Sequence, residues 1–223
     1  MAQTERFDIP AIVLEIDGRL RALPSPNTEA QRSVRREFSK RLRGASASAV
    51  IGIARELLDS SRFVAYELIN CHAAALGSLN QTELERLGQG IDSWGAVDCF
   101  ACYLSGPAWR EEQVPDNLIH KWARSRDRWW RRAALVSTVP LNNKARGGSG
   151  DPERTLTVCQ LLAPDHDDMV AKALSWALRE LSKRDPVAVS AFLAQHEDVL
   201  AARVVREARN KLTTGLKNPT KTR

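Results

Sequence analysis

Trp94 and Asp98 stand four residues apart in "WGAVDCF", and Trp176 sits in "KALSWALRE". On a helix a spacing of four puts two side chains on one face. A carboxylate in such a place can stabilise a developing positive charge electrostatically, and an indole can offer its π-face to a cation. A plainer arrangement uses the same residues: an edge tryptophan packed on a neighbouring helix, and an aspartate hydrogen-bonded to nearby backbone or to an arginine. Asp92 or Ser93 can cap a helix that begins at Trp94, and Val97, Phe100, Ala101 and Leu104 then form its core stripe with Trp94 and Asp98 at the edge. Trp176 lies off the stripe of Val170, Ala173, Leu174, Ala177 and Leu181. Either a ligand or the next helix pair accounts for an indole in that position.

Basic side chains gather near these positions. "KWARSRDRWWRR" at 121–132 interleaves six basic residues with Trp122, Trp129 and Trp130 and a single acid, Asp127. Arg128 and Arg132 are one turn apart there, with Arg131 beside them, and two arginines so spaced can grip successive phosphates. Lys172 and Arg179 flank Trp176. In "RSVRREFSKRLR" at 32–43, Arg32, Arg35, Arg36, Lys40 and Arg43 share one arc of a helical wheel, opposite Val34, Phe38 and Leu42. Each stripe alone could be a solvated helix face. Together with a basic C-terminus they point to phosphate.

The elements that must position these residues are helices. Nearly every segment shows the 3.6-residue period, and no stretch alternates as a half-buried strand does. Three pairs recur at about 35 residues: "NQTELERLGQGIDS" with "WGAVDCFACYLS", "VPDNLIHKWARSR" with "DRWWRRAALVSTV", and "DPERTLTVCQLLAP" with "DHDDMVAKALSWALRELSK". The expectation is an all-α chain whose HEAT-like repeats stack as a curved α-solenoid, with a bundle as the other option. If the second helix of each pair lines a basic concave groove, Trp94, Asp98, Arg132 and Trp176 face it together. Turn signals include "LDSS" (58–61), "SGPAWREEQVPD" (105–116) and the Gly-rich "NNKARGGSGD" (142–151), which lacks a phosphate-loop pattern and reads as a mobile connection.

The 223 residues suit one domain, expected over 1–212, with a polar basic tail frayed from 213 to 223. The net charge is +6, and residues 201–223 alone hold seven basic side chains against Glu207. No apolar run approaches the roughly 18 residues of a membrane span, and no secretory pattern opens the chain. A soluble, unexported protein is expected. Four cysteines do not suggest a disulfide scaffold; Cys99 and Cys102 form a C-x-x-C without a second pair and read as buried thiols. The four histidines are scattered without metal-ligand spacing, so no metal site is expected.

Taken in order, "SWGAVD", "WARSRDRWWRRAALVST", "KALSWALRELSKRDPVAVSAFL" and "REARNKL" resemble the DNA alkylation repair family of the AlkD type, with its W-x-x-x-D, W-x-R-R-x-A and K-A-x-x-W-x-L-R-E segments. The resemblance runs over roughly 30–212. It implies a DNA glycosylase that removes cationic alkylated purines such as 3-methyladenine and 7-methylguanine from duplex DNA. By position it makes Asp98 the catalytic aspartate, Trp94 and Trp176 the active-site tryptophans and Arg132 a DNA-contacting arginine; the basic stretches described above add Arg128, Arg131, Arg35, Arg36, Lys40, Lys172 and Arg179 as further expected DNA-binding residues. Asp168 and Met169 occupy a place where the family often carries bulky apolar residues. No cofactor is expected. A cytoplasmic monomer, associated with the nucleoid when acting on DNA, completes the expectation; a non-catalytic DNA-structure binder and a protein-binding helical scaffold are its rivals.

Overall fold

A computed structural model describes residues 7–219, and every regular element in them is helical. Lys221 and Arg223 of the basic tail lie outside the described residues. Contacts gather into two compact units, Met1–Gln89 and Gly90–Arg223. No helix among the described residues is long and apolar enough to cross a membrane.

In the first unit the helices are α1 (Ile9–Arg21), α2 (Thr28–Arg41), α3 (Ala47–Glu56), α4 (Leu58–Asn70), α5 (Ala73–Gly77) and α6 (Gln81–Gly88). Helix α2 is strongly polar, yet Val34 and Phe38 recur on one side and are buried, as is Leu42 just beyond, while Arg36, Lys40 and Arg43 of the basic arc face outward. That apolar stripe lays α2 on α1 and α4. Arg32 and Arg35 then meet Glu67 of α4 at 2.8 and 3.0 Å. The "LDSS" signal does not end in a loop. It becomes a kink inside α4, where Ser61 alone leaves helical geometry, at φ −156°, while its hydroxyl accepts from the Val64 N–H.

The second unit contains α7 (Trp94–Phe100), α8 (Gly106–Arg110), α9 (Asp116–Ala123), α10 (Arg128–Ser137), α11 (Val139–Asn142), α12 (Pro152–Leu161), α13 (Asp168–Leu181), α14 (Pro186–His196) and α15 (Ala202–Thr214). Helix α10 packs between α7 and α13, and α13 packs in turn on α15. Helices α9 and α12 pack on each other and back α10 and α13. Antiparallel pairs are therefore stacked so that equivalent second helices lie side by side, the plan of a helical repeat.

Two local differences from the sequence reading have physical causes. Residues 106–110, expected in a turn, are helical: α7 runs on through a π-helical turn, Ala101–Ser105, and Pro107 falls in the first turn of α8, where a missing N–H costs nothing. Trp109 is thereby fully buried, donating its indole N–H to Asp116 at 2.7 Å. The Gly-rich connection is pinned. Arg184 donates to the Gly148 carbonyl at 2.9 Å, and a Cβ on Gly148 would come within 2.4 Å of the Pro140 carbonyl oxygen, so only glycine allows this approach. The chain after α15 is held too: Gly215 closes the helix at φ +74°, and Lys217 turns back to Glu207 at 3.5 Å.

Candidate active site

Helix α7 starts where Ser93 accepts from the Ala96 N–H at 3.5 Å, placing Trp94 in the first turn and Asp98 in the second. Val97, Phe100, Ala101 and Leu104 are fully buried, which fixes the rotation of the helix. Trp94 is left 62% exposed, an unusual place for an indole, and the Asp98 side chain is 19% exposed at the core edge. Helix α10 is capped by Asp127, and its buried face of Ala133, Leu135 and Val136 draws Arg132 down beside them.

Arg132 binds Asp98 in a parallel fork. Its Nε donates to Oδ1 and its Nη2 to Oδ2, both at 2.9 Å. Its Nη1 donates to the Met169 carbonyl oxygen at 2.6 Å. The guanidinium is only 7% exposed, so one rigid plane joins α7, α10 and the start of α13. Burial pushes the Asp98 carboxyl above its usual range, opposed by the hydrogen bond and positive charge of Arg132. A partly desolvated carboxylate thus has one arginine as its counter-charge.

Helix α13 is positioned by Asp167, whose carboxylate accepts from the Met169 N–H at 2.9 Å and the Val170 N–H at 3.4 Å. Val170, Ala173, Leu174, Ala177 and Leu181 are fully buried. Trp176, half-buried, follows Met169 by seven residues and so lies two turns along the same helix face. Asp98 and Arg132 touch directly; Trp94 shares the Asp98 face, and Trp176 shares the face of the residue that anchors Arg132.

The sequence profile of the family described as "DNA alkylation repair enzyme" matches residues 26–212. The chain belongs to the DNA alkylation repair enzyme family. No curated protein matches it. The family match begins after α1, runs on into α15 as far as residue 212 and covers all of the residues just described.

Among the arginines and lysines expected to meet DNA, this family member holds several on its own carboxylates. Arg131 is bound to Asp165 at 2.6 Å and to the carbonyls of Ser125 and Arg126 at 3.1 and 2.8 Å, which makes it a strut under the α12–α13 turn. Arg128 is exposed, lying over Trp129 with Asp167 3.7 Å away. Lys172 pairs with Asp168 at 2.6 Å, and Arg179 binds the Ser175 hydroxyl at 3.2 Å beside buried Glu207. Burial lowers the Arg179 pKa, partly offset by Glu207 and Glu180. In the first unit Arg35 is tied to Glu67, Arg36 to Glu29 at 2.7 Å, and Lys40 is exposed with no partner among the described residues.

Two of the three tryptophans in the basic stretch serve packing. Trp122 and Trp130 lie 4.8 Å apart between ring centres and meet Phe100 at 5.8 and 6.0 Å. Sequence reasoning missed the carboxylates of Asp165 and Asp167 and the Met169 carbonyl. The signal for them was the repeat itself: Asp98 to Arg132 and Arg131 to Asp165 are both separated by 34 residues, one repeat length. Of the C-x-x-C, Cys102 is buried, with its thiol pushed up to about 12 by desolvation, and Cys99 is half-buried. A cavity of about 800 Å³ between the α8–α9 turn and α12 is lined by Glu112, Asp116, Asp151 and Glu153 against Arg154. Its charge is wrong for phosphate, and none of the four candidate active-site residues lines it.

Proposed function

We propose that the protein is a monofunctional DNA glycosylase that hydrolyses the N-glycosidic bond of cationic N-alkylated purines, of the 3-methyladenine or 7-methylguanine type, in duplex DNA. The observation that carries this reading is the Asp98 carboxylate, sparingly solvated and held in register by Arg132, one helical turn from the exposed indole of Trp94. A cationic purine is already a good leaving group, so departure needs no strong general acid. What lowers the barrier is negative charge beside the sugar as it becomes oxocarbenium-like, and a carboxylate in a poorly solvated place supplies it without reorganising. Asp98 also suits the positioning of the water that captures the sugar. Trp94 and Trp176 offer π-faces to the cationic nucleotide and exclude bulk water.

The cation bound to Asp98 is a guanidinium, permanently protonated and no Schiff-base nucleophile, so a lyase step has no amine at this place. Arg132 spends three of its five N–H groups on Asp98 and Met169 and is only 7% exposed, so in this reading it chiefly holds Asp98 in place and meets DNA at its edge. Of the other cations, exposed Arg128 and, on the first unit, Lys40 are the most available to phosphate, whereas Arg131, Lys172, Arg179, Arg35 and Arg36 reach it only from within their own ion pairs. The partner in this reading is double-stranded DNA, met by a monomer in the cytoplasm.

One observation favours a second reading. Both Asp98 oxygens are occupied by Arg132, as in a purely structural ion pair, and a protein using them so would bind DNA without cutting the glycosidic bond. Incubation with duplex DNA carrying N7-methylguanine separates the two. Free base and an intact abasic strand support the glycosylase; retarded DNA with no freed base supports the binder.

A further inference from the structure

We infer that the first unit carries a discrete phosphate-binding pocket built from Arg35, Arg36, Ser39, Lys40, Arg43 and His72. These residues line a cavity of about 490 Å³ between α2 and the chain leading into α5, within the roughly 300–1,000 Å³ of small-ligand sites. Four cations line it and no carboxylate does. All of its residues belong to the first unit, whereas Trp94, Asp98, Arg132 and Trp176 belong to the second.

The pocket is better furnished for an anion than a solvated basic face would be. Arg36, Lys40 and Arg43 follow one another at four and three residues, one row along the helix and its terminal 3₁₀ turn. Lys40 and Arg43 have no partner among the described residues. Arg35 is braced through its Nε by Glu67, with a side chain only 15% exposed, which fixes its remaining N–H groups at the cavity wall. Ser39 also lines the cavity, and its hydroxyl is buried without a hydrogen-bond partner. His72 accepts the Ala75 N–H at its Nδ1, at 3.1 Å, so the neutral ring carries its proton on Nε2 and is a donor there. Arg36 also reaches Glu29 at 2.7 Å outside the cavity, but the lining itself is cationic with no carboxylate, which selects an oxyanion of high charge such as phosphate.

A phosphodiester of the DNA backbone and a phosphomonoester, free or at a strand end, share that chemistry. The inference deepens the DNA reading of Arg35, Arg36 and Lys40 and rests on it only where DNA is the source. The exposed Cys71 thiol lines the same cavity and reports occupancy. Partial desolvation beside the cavity pushes that thiol up, so alkylation is run at alkaline pH and followed on the Cys71 peptide by mass spectrometry.

The full-length protein is alkylated with iodoacetamide in inorganic phosphate, and in chloride of equal ionic strength. Phosphate at ten times its Kd should slow Cys71 labelling about tenfold, and chloride should not. The Lys40→Ala/Arg43→Ala double variant, which changes only exposed side chains, should lose the protection. Parallel arms with undamaged duplex bearing 5′-hydroxyl ends and with a nucleoside 5′-monophosphate identify the source: protection by the duplex assigns a phosphodiester, protection by the monophosphate alone a phosphomonoester. Equal labelling in phosphate and chloride, or unchanged protection in the double variant, overturns the pocket. The phosphate arm contains no lesion, so a failed glycosylase reading leaves its result standing.

Discussion

Arg132 holds both oxygens of Asp98 at 2.9 Å from one repeat further along the chain, and the same guanidinium is anchored at 2.6 Å to the Met169 carbonyl of the repeat after that. Three successive second helices therefore meet at one planar group. Replacing it separates charge from geometry. Arg132→Met leaves the Asp98 carboxylate without its counter-charge and should cost about 3–5 kcal/mol of stability by thermal or urea unfolding, the scale of breaking a buried pair. Arg132→Lys keeps the charge but not the fork, so it should be markedly more stable than Arg132→Met while releasing base more slowly than the wild type. Equal stability for wild type and Arg132→Met would show the pair to be a surface contact.

Asp98 acts as an anion in this account, and burial has raised its pKa above the usual carboxylate range. Enzymatic base release, corrected for spontaneous loss, should therefore fall as pH drops through a midpoint above that of an ordinary aspartate. Removing the group that lowers the pKa moves that midpoint up, so the acid limb of Arg132→Lys should lie at or above that of the wild type, never below. The linkage has the opposite sign to that of an ordinary salt-bridged acid. The folded state binds the Asp98 proton more tightly than the unfolded chain, so this group costs stability as pH rises through its folded pKa and the cost disappears below the unfolded one.

Trp94 and Trp176 should separate activity from stability. Trp94 is 62% exposed, so Trp94→Ala should change unfolding free energy by no more than about 0.5 kcal/mol. Its loss should still remove about 1–2 kcal/mol of transition-state stabilisation, roughly tenfold in base release. Trp176 is half-buried, and Trp176→Ala should lower both quantities. A Trp94→Ala protein as active as the wild type would make the exposed indole an accident of the surface.

The neighbouring arginines Arg128 and Arg131 should behave differently despite their similar place in the sequence. Arg128 is exposed, and Arg128→Ala should reduce the slope of log affinity against log salt by about one. Arg131 is committed to Asp165 and two carbonyls, so Arg131→Ala should instead cost about 2 kcal/mol of stability. Salt titration of DNA binding and thermal melts on both variants check this.

Much of this was legible in the sequence wherever one helix sufficed. The stripe Val97, Phe100, Ala101 and Leu104 is buried as its spacing requires, and so are Val34, Phe38 and Leu42 on α2. Composition misled where an element spans two environments. "SGPAWREEQVPD" carries the marks of a turn, yet a π-turn and a first-turn proline keep residues 101–110 helical and bury Trp109. Trp122 and Trp130 sit in a basic run but pack on Phe100 and on each other, because the tertiary packing of α9 and α10 on α7 turns these rings into the core. The pairing of Asp98 with Arg132 rather than with a nearer cation is tertiary, and only the 34-residue repeat hinted at it.

The most direct test of the central claim is release of free base from duplex DNA containing N7-methylguanine, comparing wild type with Asp98→Asn at equal DNA occupancy. The account predicts release by the wild type and a fall of about a hundredfold or more in the variant, the scale of losing an electrostatic catalytic group. Tight binding with no release by either protein, repeated with a 3-methyladenine substrate, would contradict it.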